Sequence, residues 1–87
     1  MDRFITEKET ESLLRQQTRL IAMPDGKRRV LTLFRLVWDS FDLVRGVGLL
    51  AESEVIALAA QHSERTGEAF EMSFERVVGY AHRKLAQ

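Results

Sequence analysis

The sequence predicts a small all-α domain of about four helices, and three observations carry that expectation. Apolar residues recur at helical spacing from Val30 to Arg45. The single proline sits in the turn sequence Met23-Pro24-Asp25-Gly26-Lys27. Two further breaks, Gly46-Val47-Gly48 and Thr66-Gly67, divide the remaining chain into helix-length pieces.

The first piece runs from Thr6 to about Ile21. Thr6 and Glu9 have the Thr-x-x-Glu spacing of a capping box, and Glu7, Glu9 and Glu11 suit the positive end of a helix dipole. Leu13, Leu14, Leu20 and Ile21 give a short apolar stripe, and a helix is the preferred reading. A strand over Thr18 to Met23, paired with Arg28 to Leu33 across the Pro-Asp-Gly turn, is the alternative. From Met1 to about Glu11 little apolar surface offsets the entropy of ordering, so this stretch is expected to be loosely held.

The second piece, Val30 to Arg45, has a continuous apolar face of Val30, Leu33, Phe34, Val37, Phe41 and Val44. Leu31 and Trp38 lie on one flank, Leu36 and Leu43 on the other. Only Thr32, Arg35, Asp39 and Asp42 form a polar strip, so this helix is either central in its domain or bound on two sides. The third piece, Glu52 to Ser63, carries Val55, Ile56, Leu58, Ala59 and Ala60 behind an acidic first turn. A long turn over Glu64 to Ala69 follows. The fourth starts with Ser73 as cap and buries Phe74, Val77, Val78, Ala81 and Leu85, with Arg83 and Lys84 near its C-terminal dipole.

An 87-residue chain makes one domain with a thin core, burying about 60% of its unfolded surface. Thirteen basic residues balance thirteen acidic ones, which argues against a generally basic nucleic-acid binder or a polycationic membrane peptide. The absence of cysteine excludes disulfides, thiolate metal sites and a cysteine nucleophile. The charged start lacks the apolar run of a signal peptide, and no apolar run approaches a membrane span. A cytoplasmic location is expected.

Catalysis finds no support. His62 and His82 stand apart from any metal-ligand spacing, Arg45-Gly46-Val47-Gly48 follows a helix rather than opening one, and no serine has a nucleophile-elbow context. Neither a cofactor, a metal nor a small-molecule ligand is expected.

The position of charge says more than its sum. Lys27 to Gly48 holds five basic and two acidic residues, whereas Leu49 to Glu75 holds six acidic residues and only Arg65 basic. The last three helices have helix-turn-helix proportions, a motif that normally turns donors toward phosphates and base edges. Here that region is the most acidic in the chain. The organisation expected is an N-terminal segment over 1–26, partly disordered or a short helix, then a helix-turn-helix-like domain over 27–87.

The run from Gly26 to Gly67 and the stretch Ser73 to Ala86 resemble the extended-turn helix-turn-helix domain of proteobacterial conjugative-element regulators. The matching features are Arg28 and Arg29, Leu31-Thr32-Leu33, Glu54-Val55-Ile56-Ala57, and Tyr80 with Arg83-Lys84-Leu85. A stand-alone acidic domain of this size is similar to the QseM-like antiactivators. These silence FseA-type transcriptional activators and so block excision and transfer of the element, which ties the family to quorum sensing and horizontal gene transfer. The resemblance implies binding to the activator protein in place of DNA. Glu54, Glu64, Glu68 and Glu71 stand where DNA-binding members need positive charge. The flank of Leu31, Arg35, Trp38 and Asp42 is then the candidate docking surface, with Trp38 and Arg35 as anchor types. Trp38 packing under the N-terminal helix is the other reading. A small DNA-binding regulator or excisionase-like factor, using Lys27 to Arg29, Arg83 and Lys84, is the functional alternative.

Overall fold

The computed structural model describes residues 7–86, and in it a β-hairpin stands among the helices. The order is α1 (Glu7–Leu13), β1 (Gln16–Ala22), β2 (Arg28–Phe34), α2 (Arg35–Gly46), α3 (Glu52–Thr66) and α4 (Phe70–Leu85). The domain is therefore mixed, with four helices and one two-stranded antiparallel sheet among the described residues, and not all-α. Thr6 of the expected capping box lies outside the described residues, as does most of the stretch expected to be loosely held.

The hairpin corrects the helical reading of residues 16–21 and 30–34. The strands pair from Gln16 opposite Phe34 to Ala22 opposite Arg28. The turn between them closes through the Gly26 amide, which donates to the Met23 carbonyl at 2.9 Å, and Gly26 takes a φ of +85°. That is a type I turn followed by a left-handed residue, a hairpin connection that the Pro-Asp-Gly sequence favours. The line drawn between residues 26 and 27 thus falls within the turn, and its two sides share one sheet.

Register decides which side chains enter the core. Arg19, Ile21, Leu31 and Leu33 face inward, with Leu31 fully buried. Val30, placed on the core face by helical spacing, instead points outward opposite Leu20 and is 62% exposed. The helix begins only at Arg35, whose amide donates to the Arg15 carbonyl at 2.7 Å, so the loop before β1 caps α2.

From Arg35 onward the helical reading holds, except that Leu85, expected in the buried stripe of α4, is exposed. Val37, Phe41 and Val44 of α2 are buried, and so are Val55, Ile56 and Ala59 of α3 and Phe74, Val78 and Ala81 of α4. Trp38, Phe41, Phe70 and Phe74 form one aromatic cluster with neighbouring ring centroids 5.2–6.1 Å apart. The expected long turn over Glu64 to Ala69 is shorter. Helix α3 continues to Thr66, and Gly67 at φ +77° donates its amide to the Ser63 carbonyl, a left-handed helix stop. Three residues then lead into α4, so the turn is not extended. That helix starts at Phe70, ahead of the expected cap Ser73, which is buried. Among the described residues no helix is long and apolar enough to cross a membrane.

Candidate functional site

The flank expected to dock a partner is internal at its two apolar members, while Arg35 and Asp42 stay partly exposed. Leu31 and Trp38 are both fully buried, because the hairpin covers that side of α2. The Trp38 indole Nε1 donates to the Gln17 carbonyl at 2.9 Å, and the Arg19 guanidinium lies 4.7 Å from the Trp38 ring centroid. Trp38 therefore fastens the hairpin to the helix rather than anchoring a partner. Arg35 reaches Ser12 Oγ at 2.6 Å and Asp39 at 3.6 Å, tying α1 to α2.

Asp42 closes this hairpin-to-helix contact. Both its carboxylate oxygens accept from Arg19, at 2.7 and 2.9 Å, and Arg45 approaches at 3.4 Å. The Arg19 bond holds the Asp42 carboxyl below its ordinary range, and the same bond raises the Arg19 guanidinium. A folded-state value below the unfolded one supplies stability above the unfolded carboxylate value of about 4, lost as pH falls further. Because the pair is more than a third exposed, Asp42→Asn is expected to cost only about 1 kcal/mol or less at neutral pH. It is also expected to lessen the fall of the urea midpoint between neutral pH and pH ~2. Parallel acid profiles for the two proteins would contradict this role.

The four carboxylates expected to oppose DNA are divided in their roles. Glu54 accepts from the Ala51 amide at 3.0 Å and caps α3. Glu71 pairs with Arg29 at 2.7 Å, and this bond lowers its carboxyl. Arg29 also stacks 4.8 Å from the Phe70 ring centroid. Glu68 pairs with Arg76 at 2.7 Å and is lowered chiefly by that bond. Glu64 is exposed. Two of the four are thus neutralised by arginines outside the acidic segment, Arg29 being 42 residues from Glu71 and Arg76 eight from Glu68.

Glu68 further gathers Ser73 and His62, a cluster that sequence reasoning missed. Ser73 Oγ lies 3.1 Å from both Glu68 Oε2 and His62 Nδ1, and His62 Nδ1 lies 3.2 Å from the same carboxylate oxygen. A hydrolytic triad needs the two ring nitrogens to serve different partners and an accessible nucleophile. Here one nitrogen faces both groups and Ser73 is fully buried. The cluster pins the α3–α4 turn, where Ser63 Oγ also donates to the Glu68 carbonyl at 2.6 Å.

An open concave surface lies on the outer side of the same two helices. A groove of about 870 Å³ runs between α3 and α4. Leu58 and Arg65 line it from α3, and Met72, Gly79, Tyr80 and Arg83 from α4. Leu58, Met72 and Tyr80 are 44, 49 and 59% exposed, so the groove offers apolar surface to solvent. Its rim adds Arg76, held by Glu68, and the carboxylate of Glu75. Helices α3 and α4 are joined by a three-residue turn containing glycine.

Comparison with protein-family models, curated proteins and solved structures finds no match for this chain.

Proposed function

We propose that this chain is a protein-binding regulator of transcription, an antiactivator that occupies an FseA-type activator and thereby blocks conjugative-element excision and transfer without binding DNA. One observation carries the reading. On the face that a DNA-binding helix-turn-helix turns to the duplex, Met72 and Tyr80 of α4 and Leu58 of α3 stand exposed among Arg65, Arg76 and Arg83. The first turn of α4 holds Glu71, paired with Arg29, and no basic residue of its own. Apolar surface is what a partner protein can bury, and it does nothing for phosphates. The resemblance to the QseM-like antiactivators supports the choice of an activator as partner.

The competing reading is a small DNA-binding regulator drawing on Lys27 to Arg29, Arg83 and Lys84. One of the cations it would recruit is engaged, since Arg29 pairs with Glu71. A low-salt gel shift and a pull-down with a tagged FseA-type activator separate the two. Retention of the protein by the activator, with no shift of duplex DNA at micromolar protein, is expected. A shift whose affinity falls steeply with added salt would contradict the proposal.

A further inference from the structure

We infer that the α3–α4 groove receives an acidic amphipathic helix of its partner, about three turns long, with its backbone crossing α4 at Gly79. The inference rests on the protein-binding reading above and adds the site and the chemistry of what fills it.

Gly79 is the first observation. It sits in the middle of α4 with no positive φ, and a Cβ built there meets nothing within 4 Å. The fold therefore has no use for the missing side chain, and glycine in a helix interior is destabilising relative to alanine. What the absence provides is a low point in the groove wall, between Met72 and Arg83, where another backbone can approach closely.

Charge is the second. Among the described residues Arg65 and Arg83 make no ion pair, and Arg76 is already balanced by Glu68. Arg65 lies near the end of α3 that turns into α4, and Arg83 lies near the other end of α4. From Met72 to Arg83 helix α4 rises about 16 Å, or three turns. An occupant with an apolar stripe for Leu58, Met72 and Tyr80, and a carboxylate near each end, matches this arrangement. Glu75, also on the rim, disfavours an anionic polymer that would place charge continuously along the groove.

The test uses the full chain and fluorescent peptides of about sixteen residues, with leucine at helical spacing and either glutamate or lysine on the flanks. The glutamate peptide is expected to bind about tenfold or more tightly than the lysine peptide. Arg65→Glu with Arg83→Glu is expected to reverse that preference. Gly79→Ala is expected to raise the melting temperature yet weaken the glutamate peptide, and Gly79→Leu to abolish its binding with the helical spectrum intact. Equal binding of the two peptides, or none, would overturn the inference. If an FseA-type activator is still retained by the Gly79→Leu protein, the groove is wrong while the protein-binding reading stands. Binding of a short DNA duplex that Gly79→Leu removes would overturn both.

Discussion

Trp38→Ala is expected to unfold the domain at ordinary temperatures. The indole is fully buried, meets Phe41 and Phe74 at 5.8 and 5.6 Å between centroids, and satisfies its N–H on the Gln17 carbonyl. Truncation removes that packing, leaves a cavity against the hairpin, and orphans the stacked face of Arg19. Such a change typically costs about 3–5 kcal/mol, and a domain this small has few kcal/mol of net stability to lose. A circular-dichroism melt of the variant reads this directly. A cooperative transition within a few degrees of the parent would show that Trp38 is not a core residue.

Leu31→Ala and Val30→Ala form the second large contrast, because adjacent residues on a strand face opposite ways. Leu31 is fully buried on the inner face of the hairpin, whereas Val30 stands 62% exposed opposite Leu20. Leu31→Ala is expected to cost about 2–5 kcal/mol, and Val30→Ala less than about 1 kcal/mol, mainly as lost cross-strand contact. Urea denaturation of both variants checks the register. A one-residue slip of pairing would exchange the two results.

These positions also show where the sequence was readable and where it was not. Val37, Phe41 and Val44 were legible as the inner stripe of α2 because nothing in their spacing competes with the helical period. Leu31, Leu33, Phe34 and Val37 fit a helix equally well, yet Leu31 and Leu33 also alternate as a strand requires. The Pro-Asp-Gly turn settles the matter by bringing Ile21 and Leu31 to the same face. Since Trp38 lies beside the α2 stripe, its burial depends on whether the hairpin folds over it, a tertiary fact no local period contains. The same holds for charge. Arg29 and Glu71 are 42 residues apart in the chain, and only the packing of β2 near α4 lets one neutralise the other.

The groove escaped sequence reasoning for a different reason. Leu58, Met72 and Tyr80 are isolated apolar residues on otherwise polar surfaces, which is ordinary for any small domain. Leu58 read as part of the apolar stripe of its helix. Only the joining of α3 and α4 through the short Gly67 turn makes a concave surface of them. Other exposed apolar surface remains on the outward side of α2, at Leu36 and Leu43, and on the outer hairpin face, at Leu20 and Val30. Any of these could be covered by a partner, so locating the contact is decisive.

Amide shift mapping of the isotope-labelled protein with a purified FseA-type activator locates it. The expected result is perturbation centred on Leu58, Arg65, Met72, Gly79 and Tyr80, with Leu36, Leu43, Leu20 and Val30 unchanged. Perturbation confined to the outward side of α2 or to the outer hairpin face, with the α3–α4 groove silent, would contradict the assignment of this groove as the docking site.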